Sequence, residues 1–224
     1  MMGNGNNQFS RPSPPADDES WIATFADMAT LLLAFFILLA AISKIDAVAF
    51  EQVSAGMAKG VGKREIKTPT EDLKQQVQKS VTSLKMQDVV AISTDSQGIV
   101  MEMGSGSFFA PDSAELDESA REILAKIAAT IGAEQFKSFQ IEVQGHTDDS
   151  PPETPQYPSN WELSGARAGT VVRYFEEAGI PRARMKTVGM ADTAPKVANR
   201  GPYGDVLPQN QAINRRVVVR VYPR

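Results

Sequence analysis

The chain has 224 residues, a formal net charge of −4 and no cysteine. Its length exceeds one ordinary core of ~100 to 150 residues, and the acidic balance leaves no basic field for nucleic acid. The missing cysteines exclude a disulfide framework and thiolate metal sites.

Residues 1–20 are rich in Gly, Asn, Ser and Pro and read as a disordered tail. Residues 21–43 are different. Between Ile22 and Ile42 the only polar side chains are Thr24, Asp27 and Thr30, and about 21 residues at a 1.5 Å rise cover roughly 31 Å, the thickness of a bilayer's hydrocarbon. The flank "PADDES" is acidic and the apolar core is long, which argues for a retained transmembrane helix over a signal peptide. Trp21 stands where an interfacial anchor belongs.

Asp27 lies inside this span, where an aspartate costs roughly 2.5 to 3.5 kcal/mol near the helix centre. Ala23, Asp27, Thr30, Ala34, Ile37 and Ala41 recur at alternating spacings of four and three, a seam of mostly small residues that suits helix-helix packing in lipid. The pattern predicts that Asp27 faces a packing interface or an aqueous route, where a carboxylate exchanges a proton or holds a cation. The alternative is an aspartate near the helix end that snorkels to the headgroups or caps the helix.

Residues 44–62, "KIDAVAFEQVSAGMAKGVG", place Ile45, Val48, Ala49, Val53 and Met57 on one face of an amphipathic helix directly outside the span. Residues 63–88 read as a linker with a short helix. There Thr68-Pro69-Thr70-Glu71 has the form of a capping box, and Leu73, Val77, Val81 and Leu84 mark a face that packs onto the next domain.

Residues 89–224 form one α/β domain, with strands predicted at 89–94, 99–103, 139–143, 185–188 and 216–222 and helices at 117–131 and 161–178. The Pro/Gly-rich stretch 194–210 reads as a loop. Within residues 145–175, "GHTDDSPPETPQYPSNWELSGARAGTVVRYF", Asp148 comes after a strand, Asn160 sits as an N-cap, and Arg167 falls on the helix's second turn. A carboxylate and a guanidinium so placed could clamp a ligand carrying both an ammonium and a carboxylate, or could form a plain structural ion pair. His146 with Glu142, Asp148 and Asp149 is the one cluster open to a metal or acid-base reading, but no HExxH-like spacing accompanies it. The chain therefore reads as no enzyme.

"WIATFADMATLLLAFFILL" resembles the transmembrane signature of the MotB and PomB family, the B subunits of the flagellar stator. "GHTDD", "SNWELSGARAGTVV" and "NRRVVV" resemble the OmpA-like peptidoglycan-binding domain, and the likeness covers about residues 21–221. The resemblance implies a single transmembrane helix followed by a periplasmic OmpA-like α/β sandwich, in the bacterial inner membrane with the N-terminus cytoplasmic. Asp27 would be the ion-carrying carboxylate of a channel formed with a multi-span A subunit of the MotA or PomA kind, in a complex holding two B subunits. The segment around Ile45, Val48, Ala49, Val53 and Met57 would be the plug of that channel. Asp148 and Arg167 would bind the diaminopimelate of peptidoglycan, with Thr147, Asn160, Leu163 and Ser164 shaping the site and Asn214 and Arg216 beside it. The A subunit would pass torque to the flagellar rotor. The family implies no cofactor; the ion would be H+, with Na+ as the alternative, since Ala34 offers no polar group for sodium. A wall anchor without ion flow, or the B subunit of an ion-driven motor serving another machine, are the other readings. Basic residues count the other way for orientation, with Arg11 before the span against Lys44, Lys59, Lys63 and Arg64 after it; the resemblance is followed.

Overall fold

A computed structural model describes residues 20–42 and 68–224, and the chain divides into two compact units, 1–45 and 46–224. The first contains helix α1 (Ser20–Ile42). Its stretch Trp21–Ala41 has a mean hydropathy of 2.3 and buries no side chain within the chain, so by length and composition it is a candidate membrane span. Thr30 does not break the apolar stretch, because its hydroxyl donates back to the carbonyls of Ala26 and Asp27 at 2.7 and 2.9 Å. The expected plug segment, with Ile45, Val48, Ala49, Val53 and Met57, lies outside the described residues.

The second unit contains α2 (Pro69–Ser83). Thr68 caps it by accepting from the Glu71 backbone N–H at 3.2 Å, and Pro69 occupies the first turn, where no intrahelical N–H is needed. Leu73, Val77 and Val81 are buried in the same hydrophobic cluster as the sheet, with Leu84 packed at its edge. Next come β1 (Val90–Thr94), β2 (Ile99–Gly104), α3 (Glu118–Ile131), β3 (Phe139–His146), α4 (Asn160–Glu177), β4 (Met185–Gly189), α5 (Pro208–Asn214) and β5 (Arg216–Pro223).

The five strands form one sheet in the order β1-β2-β5-β3-β4. All neighbours are antiparallel except β3 and β4, whose connection runs through α4 and so returns the chain in the same direction. β5 comes last and inserts at the centre. Alternation sets the faces: Ile141 and Val143 of β3, Val217, Val219 and Val221 of β5, and Met101 and Met103 of β2 join the buried faces of α2, α3 and α4 in one core. From neighbouring positions in β3 and β4, Glu142 pairs with Lys186, while Glu102 of β2 pairs with Lys196 in the segment after β4. The result is the two-layer α/β architecture expected.

Two features set the site's position. β3 runs three residues beyond the predicted strand, to His146. The start of α4 lies directly over the paired glycines Gly145 and Gly189, where a Cβ on Gly145 would stand 2.0 Å from the Ser164 carbonyl oxygen. Only glycine permits that approach, and it brings the helix bearing Arg167 down onto the strand that leads to Asp148. The Pro/Gly-rich stretch expected to be loop runs into α5, opened by Pro208 at its first turn.

Candidate functional site

A cleft of about 310 Å³ opens where β3 ends and α4 begins, within the usual size range for a small-molecule site. Of the residues expected there, Thr147, Asp148, Asn160, Leu163 and Arg167 line it; Ser164, Asn214 and Arg216 do not.

Arg167 is only 4 % exposed. Its Nε donates to the Ser113 carbonyl at 2.8 Å and its Nη2 to the Ala110 carbonyl at 3.4 Å, while the guanidinium lies 5.5 Å from the centroid of the Phe109 ring. Burial pushes its pKa down, yet a guanidinium stays charged at any working pH. One side of the fork is thus fixed to the loop carrying Ala110 and Ser113. Asp112 in that loop takes a left-handed φ of 48°, a conformation aspartate tolerates better than most residues.

Asp148 is 5 % exposed. Its Oδ1 accepts from the Ser150 N–H at 2.9 Å, and its Oδ2 pairs with Arg215. Asp148 and Arg167 therefore form no ion pair with each other, and the plain structural pair is not what the fold builds. Arg215, at the junction of α5 and β5, is a cleft residue that sequence reasoning passed over in favour of Arg216. The neighbour is a different environment: Arg216 is the first residue of β5 and donates to the carbonyls of Asn214 and Ala194. A shift of one residue at a strand end redirects the side chain.

The other two absentees act beneath the cleft. Asn214 is fully buried and accepts from the N–H groups of Lys196 and Val197 while donating to the Val197 carbonyl and Asn199, which pins the segment leading away from β4. Ser164 donates to the Trp161 carbonyl and accepts from the Ala191 N–H, both at 3.1 Å. Asn160 is not the N-cap. Ser159 is, accepting from the Trp161 N–H at 3.2 Å, which frees the Asn160 amide to donate to the carbonyls of Asp148 and Ser150 and so hold the turn that carries the acid.

The neighbouring Asp149 is engaged elsewhere. Hydrogen bonding from the Gln211 amide, and then from Arg200, holds its carboxyl below the usual range. His146 is 3 % exposed. Burial, and next the positive charge of Arg216, push its pKa down to about 4, so it is neutral at pH 7. Among the described residues no group of three or more His, Cys, Asp or Glu side chains is placed to hold a metal ion.

Sheet order, cleft and leading apolar helix together define an OmpA-type α/β domain carried behind a candidate membrane span. The OmpA family model matches residues 108–206, and a second model, described as "Membrane MotB of proton-channel complex MotA/MotB", matches residues 7–60. The chain is 34 % identical to an uncharacterized protein of Bacillus subtilis, YtxE, over 88 % of its own length and 86 % of the relative's. It is 25 % identical to Motility protein B of the same organism, covering 92 % of each. Among solved structures it is similar to a MotB-like protein from Desulfovibrio vulgaris (TM-score 0.61, 28 % identity, 69 % of this chain and 94 % of that one). It is also similar to the cell wall anchor of the type VI secretion system (T6SS) from Pseudomonas aeruginosa (TM-score 0.57, 26 % identity, 67 % and 99 %). The chain is thus a MotB-like protein with an OmpA-like domain, related to YtxE, and of a structural and not an enzymatic kind.

Proposed function

We propose that this protein is the B subunit of an ion-driven stator that grips peptidoglycan through the Asp148/Arg167 cleft and conducts ions past Asp27. The observation that carries the wall-binding half is the convergence on one cleft of a buried carboxylate and a buried guanidinium that do not neutralise each other. Each is held by other groups of the chain, so the site is preorganised for a ligand with an ammonium and a carboxylate, the chemistry of diaminopimelate in a stem peptide. Arg167 receives the carboxylate, Asp148 the ammonium, and Arg215 keeps Asp148 in place as its counter-ion.

The ion-conducting half rests on Asp27 in the apolar helix and on the match of residues 7–60 to the MotB model. In this reading α1 packs by its Ala23, Thr30, Ala34 and Ala41 seam within a complex of two B subunits and MotA-like A subunits, with the N-terminus cytoplasmic and the OmpA-type domain periplasmic. Proton exchange at Asp27 biases the A subunits to step, and the wall takes the reaction torque.

Binding of the full chain in detergent to purified peptidoglycan tests the anchor. Asp148→Asn and Arg167→Lys each weaken it about tenfold, the scale of one lost charge-assisted contact, with melting temperature as the folding control. Unchanged binding in both variants removes the cleft from the function. The second reading, a wall anchor without ion flow, is favoured by the likeness to the T6SS anchor; it requires that Asp27 be dispensable.

A further inference from the structure

Residues 199–207 form a small hairpin that neither the core nor the cleft explains. Arg200 and Val206 make an antiparallel bridge, closed by Leu207 N–H to the Asn199 carbonyl at 3.0 Å and Gly201 N–H to the Asp205 carbonyl at 2.8 Å. Its backbone is specialised. Gly204 adopts a left-handed φ of 85°, a position that calls for glycine. Pro202 stiffens the tip.

The tip stands in solvent, with Pro202, Tyr203 and Asp205 all exposed. Tyr203, at the tip, is 98 % exposed, whereas Val206 at the bridge is 46 % exposed. A tyrosine so exposed contributes nothing to the core, and a rigid aromatic held out in solvent suits recognition of a ligand. The base of the hairpin is rooted on the cleft. Arg200 Nε meets Asp149 Oδ2 at 2.5 Å, and Gln211, which lines the cleft, donates to Asp149 Oδ1 at 2.8 Å and to Ser150 Oγ at 3.1 Å. The hairpin and the cleft wall therefore share one carboxylate.

We infer that Tyr203 is an accessory subsite that stacks on a pyranose ring of the glycan strand whose stem peptide occupies the cleft. This rests on the wall-binding reading above. Diaminopimelate is the third residue of a stem peptide, so the sugar lies about 10 Å of extended chain from the cleft, outside it, and the hairpin is joined to the cleft-lining Gln211 through Asp149. The apolar face of a sugar ring on an aromatic face supplies the contact, and the hairpin's tie to Asp149 fixes where the aromatic stands relative to the cleft.

The test compares two probes on the full chain in detergent: a free stem peptide containing diaminopimelate, and the same peptide still attached to its amino-sugar disaccharide. For Tyr203→Ala, affinity for the disaccharide-peptide falls about five-fold, the size of one aromatic contact, while that for the free peptide stays unchanged. Tyr203→Phe retains both. If Tyr203→Ala binds the disaccharide-peptide as tightly as the wild type, or loses both probes equally, the subsite is overturned and the cleft reading stands. If the wild type binds neither probe, the cleft reading falls, and this inference with it.

Discussion

Helix α1 and the OmpA-type domain handle charge in opposite ways. In α1 a single carboxylate, Asp27, sits on a helix whose side chains from Trp21 to Ala41 are all exposed within this chain. In the domain Asp148 and Arg167 are buried and already bonded, to Ser150 and Arg215 on one side and to Ala110 and Ser113 on the other. In the proposed reading α1 is one part of a device whose chemistry depends on other subunits. The domain is complete in itself, with its charges held before any ligand arrives.

The largest expected effect lies in the span. Asp27→Asn, co-expressed with a MotA-like subunit, abolishes ion flux and motility while leaving peptidoglycan binding at the wild-type level; retained flux and motility make the protein an anchor and dissolve the contrast between the two regions. In the domain, Arg184→Leu sharpens the contrast by showing what self-sufficiency costs when broken. Arg184 is buried and donates to the carbonyls of Ile131, Phe136 and Phe139, so its loss leaves three acceptors unpartnered. We expect about 3 kcal/mol of destabilisation, read as a lower urea midpoint with unchanged slope.

His146 gives the next effect, and its sign is set by burial. The folded-state pKa is depressed to about 4 from 6.5, so between those values the unfolded chain binds the proton that the native domain excludes. Stability is present at neutral pH and declines as pH falls below about 6.5, by about 2 kcal/mol at pH 5. His146→Gln flattens that part of the profile; an equally steep variant assigns the loss to other groups. The smallest effect separates two adjacent residues. Ser159→Ala lowers domain stability by about 1 kcal/mol through the lost cap, whereas Asn160→Ala loosens the Asp148 turn and lowers peptidoglycan affinity more than it lowers the melting temperature.

The order of residues alone was enough for the long apolar helix, the α/β class, most strands and helices, and the presence of Asp148 and Arg167 in one cleft. These are consequences of apolar length, of period and of chain proximity, all of which are local. Thr68 and Pro69 announce their helix in the same way, and the structure places them as the spacing predicts. Asn160 shows where local reading stops: two adjacent residues could each cap α4, and only the position of the Asp148 turn in space decides that Ser159 caps while Asn160 braces the acid. Arg215 could not be told from Arg216 by pattern either, because the strand's exact first residue sets which side chain turns to the cleft. The hairpin and α5 were hidden in a Pro/Gly-rich stretch whose hydrogen bonds run to residues distant in sequence, Asp149 above all. Periodicity reports what a segment buries against its own domain; which of two neighbouring polar side chains meets a partner is settled by contacts across the fold, and those exist only once the strands are paired.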